Sequence, residues 1–380
     1  MSGAGDVGIE IGAIEIRASV SPGEVRIAAL RGGVLVDYAL WRPGRPDGIG
    51  DVHRGRMGAR VAALAGSFVE IEGATGFLPD SQGRAPEGTV LGVRVVRAAH
   101  GGKGPRLVAA EVPAGKPGLV ARGPSPLAAM RARYPGAALV ADDRTLIAGS
   151  GGTWVRRAFG DALEAEVASL AEPTMALPGG GRAHIAITPA LTAIDVDLGG
   201  FASGNHVGGK AAAHLALNLA AMPALVRAIR LRNLGVAILV DFAGLPGKRR
   251  ERLGAALAEA LAAEAAGHGA TGEGGASDGA GARLLGFSHL GFAEIHRPRI
   301  RPPLAEQLAG PHAAGLVALR AAAWEAAAAP ERPLVLRGAP AILAALEMDP
   351  VALAQYRAMT GRDLALRAEP ALGGWRIEHG

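Results

Sequence analysis

Cysteine is absent from all 380 residues, which excludes disulfides and thiolate metal sites. Lysine is nearly absent too. Lys103, Lys116, Lys210 and Lys248 are the only four among 40 basic residues, and the other 36 are arginines. Aromatic residues make up only 4% of the chain, so a pair of them close together stands out. The most apolar stretch, 211–229, is interrupted by His214, Asn218 and Pro223, and no membrane span is expected there. The opening MSGAGDVGIE lacks the basic-then-apolar pattern of an export signal, so a cytoplasmic location is expected.

What is present is a basic chain long enough for two or three domains. The formal net charge is +5 and the pI is near 10, which favours a polyanionic partner. A GC-rich genome would also enrich Arg, Ala, Gly and Pro, so composition alone does not name that partner.

Residues 181–242 concentrate the chemistry. HIAITPALTAIDVD reads as two short strands, the second ending in Asp195 and Asp197, which lie two apart and so on one face. Over 210–230 the pattern is helical, with Leu215, Leu219, Met222, Leu225 and Val226 or Ile229 on one stripe. VAILVD then reads as a buried parallel strand that delivers Asp241 at its carboxyl end. Strand, crossover helix and parallel strand bring the acidic ends to one edge of a sheet. Converging carboxylates suit Mg²⁺, a hard ion with oxygen ligands and retained waters. Aspartate closing a strand is also a common turn former, and the residues alone leave both readings open.

Upstream, 8–40 alternate with period two around turns at SPGE and RGG, a three-strand meander. Over 48–107, short strands with glycine turns suggest a small Greek-key barrel. Phe68 and Phe77 are the only phenylalanines in the first 150 residues and flank a Gly turn, with Arg54, Arg56, Arg60, Lys103 and Arg106 around them. Stacking rings beside cations suit single-stranded nucleic acid; core packing of the same rings is the alternative. Asp142 and Asp143 read as a solvated turn at a strand end. GKRRERLGAALAEALAAEAA is a helix with a basic start, 267–282 is low-complexity, and HRPRIRPP is an Arg/Pro run able to contact phosphates.

ALTAIDVDLGGF, NLAAM, AIRLRNLGVAILVDF and LLGFSHLGFAEIHRPRIRPPL resemble the catalytic core of the ribonuclease E/G family, whose pattern is TAIDVNTGRF, NLEAA, RLRDLGGLIVIDF and LGFTRLGLVEMTRKR. IEIRASVSPGEVRIAAL, SFVEIEGATGFLP and GGKGPRL are similar to its opening and barrel motifs. The resemblance implies an α/β protein: a ribonuclease-H-like scaffold with an inserted S1-type (OB) β-barrel and a deoxyribonuclease-I-like α/β catalytic domain. The implied division is 1–47 scaffold, 48–108 RNA-binding barrel, 109–125 remnant of a 5′-sensor or linker, 126–178 scaffold again, 179–308 Mg-binding catalytic domain, and 309–380 a small C-terminal domain.

The resemblance also implies an endoribonuclease that cuts single-stranded RNA to 5′-phosphate and 3′-hydroxyl ends, in RNA processing or decay. Asp195 and Asp241 match its metal-binding catalytic aspartates, for Mg²⁺ or alternatively Mn²⁺, and Asp197 stands where an orienting asparagine is expected. Phe68, Phe77 and Lys103 match residues lining the RNA channel, and Arg106 joins them in the same motif. Gly200 replaces the arginine of NTGR, and Ala220 the glutamate of NLEAA. Most of the sensor and the cysteines of the family's zinc link are missing, so a homo-oligomer would form without that link. These departures keep a second reading alive, a catalytically weak or silent RNA-binding protein on the same scaffold.

Overall fold

The computed structural model describes residues 12–197, 199, 210–242, 244, 247–267 and 281–379. Gly200 and most of the low-complexity 267–282 segment lie outside them. The expected meander is β1 (Ile14–Ser21), β2 (Glu24–Arg31) and β3 (Val34–Trp41). Gly32 and Gly33 both hold positive φ (56° and 81°), as a two-residue turn between twisted strands requires.

The barrel follows: β4 (Val52–Val61), β5 (Gly66–Ile71), β6 (Ala74–Pro79), β7 (Val90–Arg97) and β8 (Arg106–Ala109). Its order is β5-β6-β8-β7-β4, closed by pairing of β5 with β4, an arrangement consistent with an OB fold. Met57, Val69, Leu78, Val93, Val95 and Leu107 fill it. The Pro/Gly-rich stretch after it, read as a connection, contributes β9 (Gly118–Ala121), which pairs with β4.

Next come α1 (Pro126–Arg133), β10 (Ala138–Ala141), α2 (Arg144–Ile147), β11 (Thr153–Trp154) and α3 (Asp161–Ser169). β10 pairs parallel with β1, giving a sheet ordered β11-β10-β1-β2-β3. Asp143 caps α2 through the Thr145 N–H, as a turn former does. Asp142 is half-buried rather than a free surface turn: it accepts from the Val20 and Ala158 N–H groups at 2.7 and 3.2 Å, and burial pushes its carboxyl above the ordinary value.

The region that carries the singled-out aspartates holds β12 (Thr174–Ala176), β13 (Arg182–Ile187), β14 (Leu191–Asp197), α4 (Lys210–Leu231), β15 (Val236–Asp241), α5 (Gly247–Gly267), β16 (Arg283–Phe287) and β17 (Ala293–Arg297). They form one sheet, β12-β13-β14-β15-β17-β16. Ile185, Ile194, Ile238 and Val240 pack with Leu225, Ile229 and Leu257 of α4 and α5. α4 is the one described helix apolar and long enough to cross a membrane, and 56% of that window is buried within the protein. The chain ends with α6 (Leu304–Leu308), α7 (Gly310–Ala328), β18 (Leu334–Gly338), α8 (Pro340–Glu347), α9 (Pro350–Thr360), β19 (Ala365–Ala368) and β20 (Trp375–His379).

These elements divide into two units, 1–46 with 125–168 and 305–380, and 47–124 with 169–304. The first unit carries a buried ion network on one sheet face. Glu24 accepts from Arg42 at 3.0 and 3.1 Å and from Arg320 of α7 at 3.1 Å. Arg26 grips Glu164 of α3 with two bonds of 2.6 and 2.9 Å. The second unit holds every residue singled out for RNA chemistry.

Candidate active site

Alternation on β13, β14 and β15 sends Ala183, Ile185, Ile194, Val196, Ile238 and Val240 into the core. The alternate positions face outward: Arg182 and His184 on β13, Asp195 and Asp197 on β14, Asp241 on β15, all exposed. VAILVD is therefore not buried on both faces. Val236 is 41% exposed, because the core helices α4 and α5 cover one face of this sheet.

Asp195 and Asp241 are register partners on adjacent parallel strands, which run about 4.8 Å apart. The crossover through α4 makes this so: β14 and β15 point the same way, and β15 ends at Asp241, level with Asp195 and two residues short of the end of β14. Asp197 is on the same face, and its Oδ1 accepts from the Gly199 N–H at 2.8 Å, so it closes the turn that leaves the strand.

His184 is a group the motif reading missed. It stands opposite Asp195 and beside Thr174, whose Oγ1 lies 3.0 Å from its Nδ1. Thr174, His184, Asp195 and Asp241 thus form one row across four neighbouring strands. The signal was available: a two-residue turn at Pro189–Ala190 pairs position 184 with 195. Nearby, His214 of α4 is buried with neither ring nitrogen hydrogen-bonded among the described residues. A side chain at Gly244, just past Asp241, would collide with its ring.

Among the described residues no three His, Asp or Glu side chains come together as a metal cage. The donor set is two exposed carboxylates. That fits Mg²⁺, which is commonly held by one or two carboxylates, with waters and substrate phosphates completing its shell.

On the barrel, Phe68 and Phe77 are cross-strand partners. Their rings meet edge to face at 6.0 Å and 75°. Both stand outside the barrel core, and Phe68 is 40% exposed, so the core-packing alternative does not describe them. Lys103 is exposed in a tight hairpin with His100, and Arg106 is exposed beside Phe77.

Residues 159–300, which span this sheet and its carboxylates, match the model of the Ribonuclease E/G family. Over these residues the chain is similar to that family. That match points to an endoribonuclease of RNA processing or decay, with RNA as substrate. The barrel and the C-terminal elements lie outside the matched stretch. No curated protein matches the chain.

If the two rings are a stacking platform, Phe68→Ala or Phe77→Ala weakens single-stranded RNA binding by about 1–3 kcal/mol each. The thermal midpoint moves little, since the core is untouched. Binding isotherms paired with melts check this; unfolding of either variant would return the rings to a packing role.

Proposed function

We propose that this protein is a metal-dependent endoribonuclease of the cytoplasm, cutting single-stranded RNA to 5′-phosphate and 3′-hydroxyl ends. In this reading the barrel is S1-type, the first unit's sheet is ribonuclease-H-like and the catalytic sheet deoxyribonuclease-I-like. The observation that carries it is the pairing of Asp195 with Asp241 on one open sheet edge, within the family-matched segment.

Asp195 and Asp241 would hold Mg²⁺, or Mn²⁺, through their carboxylates, and the exposed face leaves room for a phosphodiester beside them. The chemistry such an ion would supply there is activation of water for in-line attack and neutralisation of charge developing on the phosphoryl group. Phe68 and Phe77 stack bases, while Lys103 and Arg106 meet phosphates, so the RNA is held extended and unpaired. Asp197, tied to the Gly199 N–H, keeps the end of β14 in place rather than contributing a third ligand. Cleavage of the P–O3′ bond leaves the phosphate on the downstream fragment.

Residues 110–125 build only a connection and β9, too little for a separate pocket that reads an RNA end. Monophosphorylated, hydroxylated and circular RNAs of one sequence should therefore be cut at similar rates, leaving 5′-phosphate ends. A tenfold preference for the monophosphate, about 1.4 kcal/mol of coupling, would contradict this account of end recognition. Products with 2′,3′-cyclic ends would contradict the proposed chemistry itself.

A further inference from the structure

The row of outward residues on the barrel does not stop at the phenylalanines. Phe68 on β5 pairs with Phe77 on β6, Phe77 with Arg106 on β8, and Arg106 with Arg97 on β7. Residues paired in this way share a face, so two rings and two guanidiniums form one stripe across four strands. Like charges placed directly opposite on a sheet are destabilising, so Arg97 facing Arg106 has a cost that folding alone does not explain.

A third arginine joins them from the catalytic sheet. The Ala98 N–H donates to the Ile300 carbonyl at 2.9 Å, and Ile49, Ala98 and Ile300 pack together. This seam draws Arg299 toward Arg97. Arg299 is held there: its Nη2 donates to the Gly235 carbonyl at 2.6 Å, and its Nη1 lies 2.6 Å from His100 Nε2. Its Nε is buried without a partner among the described residues. Burial first, then Arg106 and Arg299, hold the Arg97 guanidinium below its ordinary value. No acidic group among the described residues acts to relieve it.

We propose that Arg97, Arg106 and Arg299 form a seat for a backbone phosphate of single-stranded RNA, continuing the Phe68–Phe77 platform across the seam to the catalytic sheet. A phosphate supplies the missing counter-charge and accepts several N–H donors at once. The seat is remote from the chemistry. Gly235 precedes β15 and Asp241 ends it, a run of about 20 Å at strand rise, so the seat takes a phosphate other than the scissile one. This placement rests on the RNA-cleaving reading only for its substrate, and RNA binding can be measured without cleavage.

The test uses full-length protein and a labelled single-stranded RNA in EDTA, comparing wild type with Arg97→Gln and Arg97→Lys. Arg97→Gln is expected to melt no earlier than wild type without RNA, because a like-charge contact is relieved. Its RNA affinity should fall about tenfold, the order expected for one charged hydrogen-bonded contact, and its log-affinity against log-salt slope should flatten by about 0.7. Arg97→Lys should recover most of the affinity. With Mg²⁺ and saturating RNA, kcat should stay near wild type while KM rises. Unchanged affinity and salt slope in Arg97→Gln would overturn the seat, as would an earlier melt. A wild type that binds RNA with this signature yet cuts nothing would overturn the nuclease reading and leave the seat standing.

Discussion

Asp241→Asn is expected to remove RNA cleavage, by about 10³-fold or more, with RNA affinity close to wild type. Asparagine keeps the size and the strand position, so the loss is one of charge at the proposed metal site. An ion of this kind supplies several kcal/mol of transition-state stabilisation, and each 1.4 kcal/mol is tenfold in rate. Asp195→Asn should behave alike, because register places the two carboxylates side by side. The residues proposed to bind RNA lie on the barrel and at its seam, away from these carboxylates, so affinity measured in EDTA should hold. Wild-type turnover in either variant would remove these residues from the site. A parallel loss of RNA affinity would mean that they bind substrate rather than metal.

The second large effect is on stability. Glu24 lies 3% exposed and accepts from both Arg42 and Arg320. Glu24→Gln keeps the shape but leaves two guanidiniums without their shared counter-charge. Breaking a buried ion pair from one side costs about 3–5 kcal/mol. Denaturant titration should show the first unit unfolding at markedly lower concentration, while catalytic-region transitions stay in place. A shift below about 1 kcal/mol would place this network among ordinary surface pairs.

The contrast between these two sites shows what a sequence makes legible. Asp195 and Asp241 close two strands joined by one helical crossover, so alternation and crossover handedness suffice to bring them together. Phe68 and Phe77 straddle the two-residue turn Glu72–Gly73, and hairpin symmetry pairs them. His184 follows from the same arithmetic about Pro189–Ala190, yet it carries no motif to draw the eye. The ion network is different in kind. Glu24 and Arg320 are 296 positions apart, and no local pattern links them.

Arg97 and Arg299 fall in that second class, joined by a seam through Ala98 and Ile300 that only the tertiary fold creates. The exposed face of β15 was hidden for another reason. VAILVD has the composition of a strand covered on both sides, but composition does not reveal how many faces the helices cover. β9 was hidden by its Pro- and Gly-rich surroundings, since an edge strand of four residues carries too little alternation to register.

The most direct test of the nuclease account is cleavage of one internally labelled single-stranded RNA by the wild-type protein, with Mg²⁺ and again with EDTA. The account predicts discrete internal cuts bearing 5′-phosphates with Mg²⁺ and intact RNA with EDTA. Intact RNA under both conditions, with binding retained, would contradict it and leave a silent RNA-binding protein on a nuclease scaffold.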